Sequence, residues 1–180
     1  MGGISGLINP LNIIMTQALV IIDMWDKYHS GYDYLKPYIQ YTTTRIAGTL
    51  DKFDGPVILA CYDTDGTNPW TAPHHLLQMK CADKNNRLVS YDITEIENFL
   101  EKFEVKHLYY AGASLPGCIE HRPIGINSMK SRYNYSVVID LVCNLATSLY
   151  NINDIIHESY RYAITTAHPI NFSEELYAIR

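Results

Sequence analysis

Hydrophobic residues in this 180-residue chain fall into short runs that are separated by longer amphipathic stretches. Four runs are apolar at almost every position, and they span residues 18–22, 56–62, 108–111 and 136–143. Strands of a parallel sheet that is covered on both faces have this continuous apolar character, whereas a half-exposed strand alternates. The four runs therefore predict buried parallel strands.

The stretches between these runs have helical periodicity. The clearest helix begins at Thr94, where Thr94 and Glu97 form a capping box. One apolar face follows at spacings of three and four positions, formed by Ile96, Phe99, Leu100 and Phe103. Three more helices are predicted at about residues 33–53, 118–132 and 152–161.

Strands that alternate with helices predict an α/β fold with right-handed crossovers. We expect a three-layer α-β-α arrangement of Rossmann-like type, built on a mostly parallel sheet of about five or six strands. Residues 64–92 are rich in Pro, Asn and Asp, which predicts long loops and one short strand at about 87–91. With no repeat or linker, residues 1–180 are expected to form a single domain.

Charge and hydropathy exclude several classes of partner. The chain carries 14 Lys and Arg against 19 Asp and Glu, so its net charge of −5 disfavours nucleic-acid binding. No apolar run approaches the ~18 residues of a membrane span, and no secretory signal is evident, so we expect a cytoplasmic protein without a membrane partner. The charged fraction of 18% is below the usual ~25%, which favours a surface partly covered in a homo-oligomer.

The chain contains four cysteines, and none is part of a C-x-x-C pair that would indicate a zinc knuckle or a redox motif. Cys61 and Cys143 lie within apolar strand runs and are interpreted as core residues. Cys81 has no assigned role. Cys118 follows a Pro-Gly pair at the start of a predicted helix, where backbone N–H groups and the helix dipole are expected to lower the thiol pKa. Cys118 is therefore either a nucleophile or a thiol buried under a loop.

In open α/β sheets the ligand site lies beyond the carboxyl ends of the strands. The first predicted strand ends at Asp23, on the same edge of the sheet as the loop that carries Cys118. Asp23 is therefore a candidate base for the thiol, with a turn or helix-capping role as the alternative.

Three segments match one known family in the same order. Residues 18–24, Ala-Leu-Val-Ile-Ile-Asp-Met, are similar to its first strand with a catalytic Asp. Residues 110–118, Tyr-Ala-Gly-Ala-Ser-Leu-Pro-Gly-Cys, have the family's Gly six positions before its nucleophilic Cys, and residues 135–140 are similar to the next strand. Over about residues 17–166 the chain thus resembles the isochorismatase-like cysteine hydrolases, which include nicotinamidases and N-carbamoyl amide hydrolases. An Arg-Pro-x-Gly segment after the Cys resembles a divergent, poorly characterised branch.

This resemblance implies a thioester mechanism in which Cys118 is the nucleophile and Asp23 is the acid and base. It also implies a catalytic lysine, which the family's spacing maps to Lys84, with Lys80 as the second candidate. If the predicted third strand is correct, however, no lysine ends that strand, and Ser90 or Asp92 takes its place.

The loop before the nucleophile has its own implied features. The family places a non-proline cis peptide here, which maps to Ala113–Ser114, and Leu115–Pro116 is a separate candidate for a cis bond. Leu-Pro stands where the family usually has Thr-Asp. The implied oxyanion loop consists of Ala113, Ser114 and Gly117.

Other residues are assigned to the substrate pocket by position alone: Trp25, Tyr62, Asp65, Trp70, His121 and Arg122. Arg122 is interpreted either as the partner of a substrate carboxylate or as half of a surface ion pair. A nicotinamidase-like metal site would need an Asp and several His after the second strand. Asp63 matches that Asp, but Asp65 replaces the expected His and the His74–His75 pair comes later. We therefore expect no metal and no cofactor.

The resemblance implies a hydrolase that cleaves the C–N bond of an amide or ureido group in a small molecule. The alternative is a catalytically silent relative that binds a small molecule or a protein partner in the same cleft. The substrate is left open.

Overall fold

Six parallel strands form the sheet of the described part of the chain, in the order β3-β2-β1-β4-β5-β6. The fold is that of a computed structural model, which describes residues 16–26, 36–61, 72–144 and 152–178. The strands are β1 (Thr16–Ile22), β2 (Val57–Ala60), β3 (Arg87–Val89), β4 (Val105–Ala113), β5 (Asn134–Cys143) and β6 (Ile170–Asn171). The predicted parallel sheet is confirmed.

Helices connect the strands and cover both faces of the sheet. The described helices are α1 (Lys36–Leu50), α2 (His75–Cys81), α3 (Ile93–Lys102), α4 (Cys118–His121), α5 (Ile126–Met129), α6 (Ile152–Thr165) and α7 (Glu175–Ala178). Among them, none is both long enough and apolar enough to cross a membrane.

Two hydrophobic clusters lie on opposite faces of the sheet. Leu19 and Ile21 of β1 pack on one face with residues from α1, α2 and α7. Val20 and Ile22 pack on the other face with residues from α3, α4, α5 and α6. Because alternate side chains of a strand point to opposite faces, a strand between two helical layers is apolar throughout. The expected three-layer α-β-α arrangement is confirmed.

The register of the central strands brings three chain segments to one edge of the sheet. Ile22, the last residue of β1, pairs with Ala60 of β2 and with Gly112 of β4. The residues that follow these strands, including Asp23 and the loop before Cys118, therefore leave the sheet side by side. This edge is the carboxyl edge, where open parallel sheets bind their ligands.

Gly112 permits the close approach of β4 to β1 at this edge. Its φ angle is +103°, and a Cβ atom built there would lie 2.1 Å from the carbonyl oxygen of Ile22. Only glycine combines that backbone conformation with that spacing. The close approach of β4 to β1 thus explains why a glycine is required at this position of the family-like segment 110–118.

The start of α3 differs from the prediction. The helix begins at Ile93, and its N-cap is Asp92, whose Oδ1 accepts hydrogen bonds from the backbone N–H groups of Thr94 (2.8 Å) and Glu95 (3.1 Å). The capping box that begins at Thr94 is therefore wrong, because Asp92 already satisfies the donors that Thr94 was expected to cap.

The helix predicted over residues 118–132 is two short helices, α4 and α5. The break follows α4 at Arg122, directly before Pro123. A proline disfavours helical backbone in the residue before it and cannot donate a helical hydrogen bond, which explains the break. Residues 75–81, predicted as loop, form α2, and the C-terminal elements β6 and α7 were not predicted.

Candidate active site

An ion pair lies at the end of the central strand. Asp23 follows β1 directly, is 1% exposed and has a positive φ angle of 49°. Its Oδ2 accepts a hydrogen bond of 2.6 Å from Nε of Arg122. Non-glycine residues with left-handed backbone are costly and gather at functional sites. The end of β1 therefore has the burial, charge and backbone of a functional position.

Arg122 and Cys118 come from the same turn of helix. Cys118 begins α4, and the backbone N–H of Arg122 donates to its carbonyl at 3.0 Å. Residues four apart project from one side of a helical turn. The thiol and the guanidinium therefore meet Asp23 together, and hydrogen bonding joins Cys118 to both Asp23 and Arg122.

The Cys118 thiol is half-buried, and its pKa is raised to about 11. Burial is the largest cause, followed by the negative charge of Asp23 and the hydrogen bond between the two side chains, while Arg122 acts in the opposite direction. The expected lowering of this pKa is wrong, because α4 is a single turn and its dipole does not outweigh burial and the carboxylate. The resting site therefore pairs a neutral thiol with a carboxylate that can accept its proton.

The loop between β4 and α4 contains two cis peptide bonds, Ala113–Ser114 and Leu115–Pro116, and both were anticipated. The Ser114 carbonyl accepts a hydrogen bond from the N–H of Ile119 at 3.2 Å. Gly117, the residue before Cys118, has a φ angle of +129°, and a Cβ there would lie 2.8 Å from Ser114 Oγ. The loop thus folds tightly against the start of α4, which positions Cys118.

Lys84 lies elsewhere. It is exposed and precedes β3, where its carbonyl accepts a hydrogen bond from the Arg87 N–H at 3.0 Å. That turn is at the amino edge of the parallel sheet, whereas Asp23 and Cys118 are at the carboxyl edge. The structure therefore does not bring Lys84 to the proposed site.

Ser90 and Asp92, rather than a lysine, follow the carboxyl end of β3. This is the alternative that was predicted for the third strand. Ser90 follows the strand, is buried, and donates its N–H to the carbonyl of Leu59 at 3.2 Å. Its Oγ accepts a hydrogen bond of 3.1 Å from the N–H of Asp92. Within the described residues the cation that contacts Asp23 and Cys118 is Arg122, supplied by α4 rather than by the third strand.

A cavity of about 320 Å³ opens beside this ion pair. Its walls come from the ends of β1 and β2, the first residues of α3 and the segment after α4. They are formed by Asp23, Ala60, Cys61, Tyr91, Asp92, Ile93, Thr94, Arg122, Pro123 and Ile124. Tyr91, Ile93 and Thr94 were not predicted as pocket residues, although residues that join a parallel strand to the next helix must lie at the carboxyl edge.

The remaining pocket assignments have different outcomes. Trp25 packs against the core cluster on the α1 face and is not among the residues that line this cavity. His121 is also absent from the cavity wall, and its side chain is 70% exposed. Tyr62, Asp65 and Trp70 lie outside the described residues, as does Asp63.

A second cluster of potential ligands is formed by Asp26, His74 and His75. Nδ1 of His75 lies 2.7 Å from Oδ1 of Asp26, and Nδ1 of His74 accepts the backbone N–H of Leu76 at 3.2 Å as the cap of α2. Their ligand atoms all lie within 4.8 Å of one another, so the three side chains could hold a metal ion. As arranged, they also contact one another, and His74 caps the start of α2.

A partly buried polar network is centred on Glu120 of α4. The Glu120 carboxylate accepts a hydrogen bond from Tyr162 Oη (3.0 Å) and lies 2.9 Å from Nε2 of His168. Nδ1 of His168 lies 3.1 Å from Oη of Tyr135. Because Glu120 is two residues from Cys118 in α4, this network connects α4 to α6 and β5.

Several solved structures share this fold. The fold matches nicotinamidase/pyrazinamidase PncA from Bacillus subtilis with a TM-score of 0.61 and 15% identity, over 87% of this chain and 99% of that one. An isochorismatase-like hydrolase from Alkaliphilus metalliredigens matches with a TM-score of 0.60 and 8% identity, over 89% of this chain and 96% of that one.

The ycaC gene product of Escherichia coli, described as an octameric hydrolase of unknown specificity, matches with a TM-score of 0.58 and 12% identity, over 89% of this chain and 77% of that one. No protein-family profile and no curated protein sequence matches this chain. The predicted resemblance is thus confirmed at the level of the fold.

Proposed function

We propose that this chain, which has the fold of nicotinamidases and isochorismatase-like hydrolases, is a cysteine hydrolase that cleaves an amide or ureido C–N bond of a small molecule. The observation that carries the proposal is the contact of Cys118 with both members of the Asp23–Arg122 ion pair. Cys118 is not itself among the residues that line the cavity on the carboxyl edge of the sheet, but Asp23 and Arg122 both are.

The first half-reaction forms a thioester. Asp23 accepts the thiol proton while Cys118 Sγ attacks the carbonyl carbon, so that the S–C bond forms and the carbonyl oxygen becomes an oxyanion. Backbone N–H groups of the loop that contains Ala113, Ser114 and Gly117, together with that of Cys118, stabilise the oxyanion. The intermediate then collapses, the C–N bond breaks, and Asp23 returns the proton to the leaving nitrogen.

The second half-reaction releases the acid. A water molecule attacks the thioester carbonyl while Asp23 takes a proton from it, and the C–S bond breaks as Cys118 regains a proton. Asp23 therefore alternates between base and acid, which requires it to be ionised at the start of each half-reaction.

Arg122 supplies the positive charge that the family resemblance assigns to a lysine. Its charge stabilises both the Asp23 carboxylate and the thiolate that forms during attack. A guanidinium does not lose its proton in a protein, so Arg122 acts by charge and position while the protons move through Asp23. The single-turn helix α4 holds this charge at a constant distance from the nucleophile.

The alternative is a silent relative that binds ligands in the same cavity. It is favoured by the raised pKa of Cys118, which leaves little thiolate in the resting site. The two functions differ in whether the thiol forms a covalent intermediate, since both predict ligand binding in the cavity.

An amide panel separates these functions. Wild type, Cys118→Ala and Cys81→Ala are incubated with nicotinamide, an N-carbamoyl amino acid and a ureido acid, and released ammonia or amine is measured together with the mass of acid-quenched protein. Cys81 is buried at the end of α2, away from the cavity, and serves as the matched thiol control.

We expect turnover and a trapped acyl adduct with wild type and Cys81→Ala, and neither with Cys118→Ala. Turnover that survives Cys118→Ala would exclude thioester chemistry. Saturable binding to wild type and Cys118→Ala without turnover of any amide would establish the silent binder.

We also propose that the chain forms a homo-oligomer. On α6, the side chains of Tyr160 and Ile164 are one turn apart and are 40% and 54% exposed, and large apolar side chains grouped on a surface mark interaction sites. Light scattering at several concentrations tests this, with Ile164→Glu expected to shift the mass toward the monomer. A monomeric wild type at all concentrations would contradict it. The cytoplasmic location stays a prediction.

A further inference from the structure

The described walls of the cavity contain three ionisable charges: the Asp23 and Asp92 carboxylates and the Arg122 guanidinium. Cys61 also lines the cavity, but burial raises its pKa well above the ordinary value and keeps it neutral. The charge that a substrate meets is therefore decided by how these three groups are paired.

Arg122 is already engaged by Asp23. The two atoms of the ion pair are 2.6 Å apart, and the Asp23 side chain is 2% exposed. A substrate carboxylate that took Arg122 would leave a buried carboxylate without its counter-ion, which is strongly unfavourable. The positive charge therefore balances Asp23, and a second anion would compete with that buried carboxylate for it.

Asp92 lines the cavity, and its carboxylate accepts hydrogen bonds from backbone N–H groups. It caps α3 by accepting the N–H groups of Thr94 and Glu95. These donors carry no formal charge, and their use by the cap removes the α3 N-terminus as a site for a substrate anion. The three described charges therefore sum to −1.

The chain as a whole has a net charge of −5, which has the same sign as the net charge of the described wall. A cavity whose wall carries a net charge attracts ions of the opposite sign and repels ions of its own.

We infer that this cavity takes substrates that are neutral or positively charged around the scissile amide and rejects substrates that carry a carboxylate. The inference rests on the proposed role of Cys118 and specifies its substrate class. In this inference Arg122 is the partner of Asp23, in an ion pair whose carboxylate is buried rather than at the surface, and not the partner of a substrate acid.

Charge-matched thiol reagents test the inference without a known substrate. Cys118 is labelled with 2-(trimethylammonium)ethyl methanethiosulfonate, a cation, and with 2-sulfonatoethyl methanethiosulfonate, an anion, and the rate at Cys118 is measured by mass spectrometry. Each rate is divided by the rate with 2-mercaptoethanol. We expect the cation to be favoured at least about threefold at low salt, with the preference shrinking in 0.5 M NaCl.

Two variants test whether the carboxylate in the cavity wall causes the preference for the cationic reagent. Asp92→Asn is expected to reduce the preference for the cation, whereas Asp83→Asn changes the net charge equally at an exposed position outside the cavity wall and is expected to leave the preference unchanged. Equal rates for the two reagents, or a preference for the anion, would overturn the inference even if Cys118 is the nucleophile.

A second measurement does not depend on thiol chemistry. Benzamide, benzamidine and benzoate share one ring and differ in charge, and calorimetry with Cys118→Ala gives their affinities. We expect benzoate to bind most weakly, and tighter binding of benzoate than of benzamide would contradict the inference. Absence of Cys118 labelling by either reagent at pH 9 would instead count against the proposed function, and the affinities would then decide the charge preference.

Discussion

Nε of Arg122 lies 2.6 Å from Oδ2 of Asp23, which precedes it by 99 positions in the chain. Arg122 follows Cys118 by one turn of α4, so a single rigid element carries both the thiol and the cation to the end of β1. Any change that weakens this pair alters the ionisation of the thiol and the stability of the buried carboxylate at once, and these effects are measured separately.

Arg122→Gln should slow both chemistry and labelling. Removal of the positive charge raises the Cys118 pKa further, because Arg122 is the side chain that lowers it. We expect iodoacetamide labelling at pH 8 to fall, turnover to fall at least about 10²-fold, and the free energy of unfolding to fall by about 1–3 kcal/mol, between the values for exposed and buried pairs.

Arg132→Gln is the matched control, because Arg132 forms a more exposed ion pair with Glu97 away from the site. It should change stability by less than about 1 kcal/mol and leave labelling unchanged. Arg122→Lys keeps the charge and should recover part of the labelling rate. Equal labelling by wild type and Arg122→Gln would show that the guanidinium does not act on the thiol.

The pH profile of Cys118 labelling should report the raised pKa. Only the thiolate reacts, so the rate should increase about tenfold for each pH unit and level off near the pKa of about 11. Asp23→Asn removes a charge and a hydrogen bond that both raise this pKa, and burial remains. The plateau of the variant should therefore lie at lower pH, and labelling at pH 8 should be faster than in wild type.

Turnover should respond to Asp23→Asn in the opposite direction. The amide cannot take or return the proton, so kcat should fall about 10²–10⁴-fold while labelling increases. This split separates an acid–base role from a positional one. If labelling and turnover decreased together, Asp23 would be acting on the position of Cys118 rather than on its proton.

Gly112→Ala should destabilise the carboxyl edge of the sheet. The new Cβ would lie 2.1 Å from the Ile22 carbonyl oxygen, and the backbone φ of +103° disfavours alanine. We expect the free energy of unfolding to drop by about 2–4 kcal/mol in urea titrations. Gly48→Ala is the control, since nothing lies within 4 Å of its Cβ in α1, and it should gain about 0.5–1 kcal/mol. Similar effects at both positions would refute the close-approach explanation.

Glu120→Leu should disturb the nucleophile through its helix. The substitution leaves Tyr162 and His168 without the carboxylate that both contact, at a cost of about 1–3 kcal/mol for two partly buried polar groups. Because α4 loses an anchor, the Cys118 labelling profile should shift as well. Glu120→Gln, which keeps the shape and one acceptor, should have a smaller effect. If stability decreased and the labelling of Cys118 did not change, the network would contribute to folding stability and not to the reactivity of Cys118.

The two catalytic candidates at strand ends were predictable from the sequence because local patterns define them. Asp23 follows an apolar run, Cys118 follows a Gly-containing loop, and parallel strands bring such positions to one edge. The helix between them was recognised from its apolar spacing, but its start was placed at Thr94 instead of at the cap Asp92. Short polar residues compete for caps over one or two positions, and spacing alone does not separate them.

The sequence by itself determined the three-layer fold and the two residues that leave its central strands, since burial on both faces imposes a continuous apolar pattern on each strand. Only the tertiary structure decided that the cation beside them is Arg122 rather than Lys84, and that the thiol pKa is raised rather than lowered. The ion pair joins residues 99 positions apart, and burial is a property of the assembled layers. Neither the ion pair nor the burial can be predicted from neighbouring residues in the sequence, because both depend on which distant segments come into contact.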